Sequence, residues 1–330
     1  MSQRSAAGSD SQTSHYGPSV GAGGHGHGGG GHFASTSRPA DLGRSRGMNL
    51  PAHLLSWQLL AALLLNGFIQ CVLIGAYAAR LAGALSGRVA TSISLFNLFV
   101  TVSRMASFFY TPILGSLSDR AALAVGTLRP PAVTAFEWQL RSIVFAGTVG
   151  AALGTVLLPT FLMLFLRGIA TFERTRSVPK ALLRLLLPRT GFAIARTIAK
   201  LPSASSLRRL SPRHVPKDLL FFNVVVTGVY AIGVIAAAYA SVLDPTAART
   251  ALLSSGLING IAMISYTLIV DPGSAIITDE AVRGQRPVDD VKALVVYLSL
   301  TTLAGMLLSQ LVLTPAALVI AFGAHLLAGR

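Results

Sequence analysis

RLAGALSGRVATSISLFNLFVTVSRMASFFYTPILGSLSD, residues 80–119, decides how the rest of the chain is read. Its middle is apolar enough to enter a bilayer, yet it carries an arginine at Arg104. On a helix, Ser94, Asn97, Thr101 and Arg104 follow a three-four-three spacing that stacks them along one face. Leu95, Phe96, Leu98, Phe99, Val100 and Val102 occupy the other faces. A charge at membrane depth costs about 2.5–3.5 kcal/mol on insertion scales, so such residues line bundle interiors or watery cavities. The stretch therefore predicts one wall of a polar path through a membrane. The competing reading is an arginine that snorkels to a headgroup from a helix end.

The composition places the whole chain in the same class. Of 330 residues, 52% are hydrophobic and 12% charged, where a soluble domain has ~25% charged. Mean hydropathy is +0.62. The net charge of +15 marks basic loops against anionic lipid, not nucleic-acid binding. A single cysteine, Cys71, excludes an internal disulfide.

Apolar runs long enough to cross a ~30 Å core recur along the chain. Spans are expected at 54–79, within 89–117, and at 143–166, 219–243, 250–270 and 293–313. The fold class is thus an all-α polytopic membrane protein of about six transmembrane helices. Loops are expected at 80–88, 118–142 and 271–292; Pro315 separates the sixth span from a short apolar piece, 316–328. Residues 1–53 form a glycine- and histidine-rich tail, expected to be disordered. His25, His27 and His32 in it read as low complexity before they read as a metal site.

Residues 167–218 carry twelve Lys or Arg among five prolines. The pieces 181–187 and 191–201 read as interfacial helices on an anionic leaflet, with a solvated basic loop as the alternative. Placing this loop on the cytoplasmic side follows the bias of Lys and Arg and puts both termini outside.

A shift of 162 positions lays the first two spans over the fourth and fifth. Residues 68–104 and 230–266 then share nine identities in 37 positions, including Tyr77/Tyr239, Asn97/Asn259 and Ser103/Ser265. With two residues removed, Pro112/Pro272 and Asp119/Asp279 also coincide. Three spans per half is odd, so the halves would be inverted copies with broken helices, an architecture that puts a transport site at the repeat interface. Asn97 and Asn259 are then expected to face each other across one cavity, with Asp119 and Asp279 near opposite surfaces.

Catalytic and metal signatures are absent. Gly115–Arg120 (GSLSDR) lacks the residues that complete a major-facilitator loop, and Pro272-Gly273-Ser274 lacks the arginine of a polyprenyl-pyrophosphate phosphatase. Neither H-E-x-x-H nor G-x-S-x-G occurs, and no cofactor is expected.

Four stretches, YAARLAGALSGRVATSISLFNLFVTVSR (77–104), TPILGSLSD (111–119), FFNVVVTGVYAIGVIAAAYAS (221–241) and SGLINGIAMISYTLIVDPGSAIITDEAVRG (255–284), resemble the Amj family of alternate lipid II flippases. The likeness covers most of 60–315. It implies a multi-pass protein of the bacterial cytoplasmic membrane that moves an undecaprenyl-linked peptidoglycan precursor outward. Its partners would be that lipid-linked precursor and anionic membrane lipids. A pyrophosphate headgroup needs a guanidinium and amide donors. The candidate set is therefore Arg104, Asn97, Thr101 and Asn259, with Arg80 and Arg88 at the entrance. Asp119, Asp271, Asp279, Glu280 and Arg283 at the span ends complete it. A membrane enzyme on a polyprenyl pyrophosphate, a flippase for another polyprenyl lipid and a lipid-binding scaffold are the alternatives.

Overall fold

The computed structural model describes residues 56–125, 129–175 and 215–329. Every described residue lies in one compact unit, Asn49–Arg330. The tail and the two expected interfacial helices fall outside the described residues.

Among the described residues all regular structure is helical. The first three helices are α1 (Trp57–Ala76), α2 (Ala78–Ser86) and α3 (Val89–Val125). They are followed by α4 (Arg129–Val156) and α5 (Leu158–Thr175). The second half has α6 (Lys217–Leu243), α7 (Ala248–Leu253), α8 (Ser255–Ser265), α9 (Asp271–Val282) and α10 (Val288–Leu327). Five stretches, two of them composite, are long and apolar enough to cross a membrane. A sixth is α4 with α5, bent by 62°.

Several expected boundaries change. Residues 80–88 are not a loop: the first crossing runs Trp57–Ser86, broken only at Tyr77 and closed by Gly87 at φ 67°. The expected polar segment 118–142 is mostly helix, shared between the end of α3 and the start of α4. The expected loop 271–292 is α9, a short turn at 283–287 and the first turn of α10. The third span is not straight but bends after Val156. Neither Pro112 nor Pro315 ends its helix. Polarity was a poor guide to these ends because the polar side chains are paired on the helices that carry them. Glu137 and Arg141, four residues apart, are one case.

Pro272 has a different effect. A proline in a helix clashes with the carbonyl four residues earlier, here Leu268. That carbonyl sits in a widened π-helical turn, Tyr266–Val270, between α8 and α9. The fifth crossing, Pro245–Val282, is therefore discontinuous.

Two clusters of buried apolar residues mark the two ends of the bundle. One gathers Leu59, Leu117, Leu140, Tyr239, Ala251 and Ile320. The other gathers Ile74, Leu95, Ala151, Leu219, Ile277 and Leu294. Helix α1 runs from the first cluster to the second, and α6 from the second to the first. Likewise α3 opposes the α7–α9 segment, and α4 opposes α10. Each element of the second half thus runs opposite to its counterpart. Asp119 lies at the first end, beside Leu117 and Ala121, and Asp279 at the second, beside Ile277 and Ala281.

Both halves use the same lock between first and third helix. Lipid is as apolar as leucine, so helices in it associate through close backbone packing and interhelical hydrogen bonds. In the first half Gly150 lies directly on the carbonyl of Gly67. In the second, a Cβ on Gly228 would come within 2.9 Å of the Gly305 carbonyl. Beside each crossing an asparagine holds the third helix: Asn66 Nδ2 donates to Ile143 O at 2.8 Å, and Asn223 Nδ2 to Leu298 O at 3.1 Å.

Substituting Gly150 by Val should abolish accumulation of folded protein, whereas Gly256→Ala, which meets nothing within 4 Å, should not. Size-exclusion profiles of the two variants in detergent check this. In a Cys71→Ser background, Asp119→Cys and Asp279→Cys should react with an impermeant maleimide from opposite sides of the membrane. Labelling of both from the same side would contradict the antiparallel halves.

Candidate functional site

A cavity of about 270 Å³ lies between the halves at mid-bundle. Its walls come from α1 (Gln70) and the break after it (Tyr77), α3 (Asn97, Ser103, Arg104, Ser107), α6 (Thr227, Tyr230), the π turn (Tyr266, Thr267) and α10 (Thr302). Asp271 also lines it. Five of the crossings thus contribute polar groups to one partly open cavity, in which Asn97 and Arg104 are exposed.

The wall that α3 presents is slightly rotated from the expected stripe. Positions 97, 100, 104 and 107 line the cavity, so Val100 and Ser107 stand where Ser94 and Thr101 were expected. Asn97 and Arg104 belong to this wall. Ser94 and Thr101 sit beside it on an exposed face, their hydroxyls donating to Ala90 O at 3.1 Å and Asn97 O at 2.8 Å.

Asn259 does not face Asn97 across the cavity. It packs against Gly233 of α6, with its Oδ1 buried and unpartnered. The reason is local: only a glycine at 233 leaves room for the amide. Arg88 lies exposed at the α2–α3 corner. Asp279 pairs with Arg283 at 2.5 Å and Glu280 with Arg286 at 2.9 Å, both along the α9–α10 connection away from the cavity. Asp119 is exposed at the opposite end, next to Arg120, which donates to Gln58 Oε1 at 3.0 Å.

Arg80 and Asp271 are brought together. Arg80 Nη2 donates to Asp271 Oδ1 at 2.5 Å, joining α2 of the first half to α9 of the second. The guanidinium lies 6.0 Å from the centre of the Phe96 ring. Next to this pair, the Tyr77 hydroxyl shares a hydrogen bond with Thr302 Oγ1 at 3.1 Å. Asn223 Nδ2 reaches Thr302 Oγ1 at 3.0 Å and Thr301 Oγ1 at 2.9 Å. The break at Tyr77 and the π turn at Tyr266–Val270 both border this cluster.

A second polar cluster, unforeseen from the sequence, closes the opposite end. Glu137 Oε1 accepts from Arg141 Nε at 3.0 Å and Nη2 at 2.7 Å, and Oε2 accepts from the Tyr239 hydroxyl at 2.9 Å. Arg141 Nη1 donates to Gln310 O at 2.7 Å, and Nη2 to Thr314 Oγ1 at 3.0 Å. Tyr77 and Tyr239 are the matched tyrosines of the repeat. Each reaches from the first helix of its half to the third helix of the other. That match, together with Glu137 and Arg141 four residues apart, was the signal in the sequence. Reading 118–142 as a loop concealed it.

The profile of the family described as Amj, alternate to MurJ, matches residues 65–324. The chain belongs to the Amj family. It is 35% identical over 270 residues to the Bacillus subtilis (strain 168) protein named lipid II flippase Amj, covering 82% of this chain and 98% of that one. No solved structure matches it.

Removing a hydrogen bond to a charged acceptor costs about 1.5–3 kcal/mol. Tyr239→Phe should therefore lower the thermal midpoint in detergent, while Tyr230→Phe leaves it unchanged. Glu137→Ala should lower it further, because it leaves Arg141 without its carboxylate. Equal midpoints for Tyr239→Phe and Tyr230→Phe would remove Tyr239 from the contact between halves.

Proposed function

We infer that this Amj-family protein is a lipid II flippase, moving the undecaprenyl-pyrophosphate-linked peptidoglycan precursor between leaflets of the bacterial cytoplasmic membrane. The observation that carries the reading is a guanidinium and an amide, Arg104 and Asn97, in a cavity at mid-bundle between inverted halves. The named function of the Bacillus subtilis relative, over nearly its whole length, supports the same substrate. The reaction is translocation, with no bond made or broken.

The physical difficulty of flipping is the headgroup charge. Moving one carboxylate-sized ion from water into a medium of dielectric ~4 costs of order 20 kcal/mol by an idealised Born estimate. Arg104 offers a planar fork that matches two phosphate oxygens, and Asn97 adds an amide donor. Gln70, Thr227 and Ser103 add neutral polar groups to the same path. The polyprenyl chain needs no such help and stays in lipid, along the apolar outer faces of α3 and α8. Phe108, Phe109, Leu257 and Ile264 are exposed there.

At about 270 Å³ the cavity accommodates a pyrophosphate but not the attached sugars and peptide. The halves must therefore move apart to admit the headgroup. Inverted repeats achieve this by rocking one half against the other around a fixed site. The basic residues of 167–218 supply contact with anionic lipid on the loading side.

Complementation of a strain depleted of its main lipid II flippase tests the reading. Wild type should restore growth. Arg104→Ala should insert normally yet fail, and Arg104→Lys should rescue in part, since ammonium lacks the fork. Full rescue by a well-expressed Arg104→Ala protein would remove Arg104 from the mechanism. Rescue only in strains lacking export of another polyprenyl-linked glycan would reassign the substrate.

A further inference from the structure

The two inter-half clusters look alike in composition but differ in how their guanidinium is used. Every nitrogen of Arg141 is hydrogen-bonded: Nε and Nη2 to Glu137, Nη1 to Gln310 O, and Nη2 also to Thr314. Arg80 is held at a single point, Nη2 on Asp271 Oδ1. Its Nε is buried and has no partner. The side chain is only 14% exposed, lodged beneath Asp271 and beside Phe96.

A buried donor without an acceptor is costly, and a guanidinium held end-on leaves its fork open. Asp271 lines the cavity and covers Arg80 from that side. An anion in the cavity thus approaches the one carboxylate that restrains this guanidinium. Like charges repel, and a diphosphate offers Arg80 the two-point contact that a single Asp271 oxygen does not.

We propose that Arg80 is a second pyrophosphate-binding residue masked by Asp271, and that the headgroup unlinks the halves by displacing Asp271 from Arg80. The idea rests on the flippase reading and deepens it. Asp271 serves as an internal anion that satisfies Arg80 while the site is empty. The same ion pair ties α2 to α9, so the displacement that binds the headgroup also frees the two halves at this end. The cluster around Arg141, with every guanidinium nitrogen already engaged, remains closed. Substrate binding and opening become one event at the end where the guanidinium has an unused face.

The experiment measures undecaprenyl pyrophosphate binding to full-length protein in neutral-lipid nanodiscs, with inorganic pyrophosphate as a second probe. Removing the competing charge in Asp271→Asn should tighten binding about tenfold, on the scale of an ordinary coupling between two ligands of one site. Arg80→Ala should lose binding. The double variant Arg80→Ala/Asp271→Ala, which buries no unpaired charge, should fold and also fail to bind. In parallel, spin labels at Leu85→Cys and Ile276→Cys, in a Cys71→Ser background, report the spacing of α2 and α9. Undecaprenyl pyrophosphate should widen that distance in wild type, and Asp271→Asn should show it widened without ligand.

Unchanged or weaker binding by a folded Asp271→Asn protein overturns the proposal, as does binding by the double variant. Complementation by wild type, combined with no undecaprenyl pyrophosphate binding, sinks the masked site while leaving the flippase reading standing. Failed complementation with intact, Arg80-dependent pyrophosphate binding does the reverse. Inorganic pyrophosphate alone competing as well as the lipid would assign Arg80 to the phosphate and not to the chain.

Discussion

The two halves bury apolar residues against each other at both ends, and the few polar bonds among them are what the rest of the structure depends on. Apolar surface gains nothing by leaving lipid for protein, so hydrophobic burial alone does not tell the halves to meet. Arg80 on Asp271 and Tyr77 on Thr302 join them at one end. Tyr239 on Glu137 joins them at the other. Such bonds are strong without water to compete, and they are lost as discrete units.

Within each half a different force operates. The first and third helices approach until backbone touches backbone, at Gly67 and Gly150 and again at Gly228 and Gly305. Asn66 and Asn223 add a hydrogen bond to a carbonyl of the third helix in each case. These contacts leave little space for the two helices to slide.

The broken helices sit where the two halves meet. The interruption at Tyr77 and the π turn before Pro272 both lie beside the Arg80–Asp271 pair. A continuous helix points all its side chains outward from one axis. A break redirects them, and here it brings residues from α2 and α9 onto one ion pair at the edge of the cavity. Gly75, packed under the Phe161 ring, permits α5 to brace the first break from outside.

The crossings, their number and the oddness of three per half were determined by the sequence alone. They depend on local hydropathy and on chain parity, which need no knowledge of neighbours. The Tyr77/Tyr239 match already carried the pseudo-symmetry, and Arg104 with Asn97 was legible as an intramembrane cation beside an amide. Other features were decided only in three dimensions. Asn259, matched to Asn97 in the repeat, packs on Gly233, because the space open to an amide is set by the facing helix. Arg80 and Asp271 are 191 residues apart, and nothing in either segment names the other. Glu137 and Arg141 looked like loop residues until Tyr239, Gln310 and Thr314 surrounded them. Periodicity says which face of a helix is polar. Which partner meets that face, and at what rotation, follows from how the helices pack.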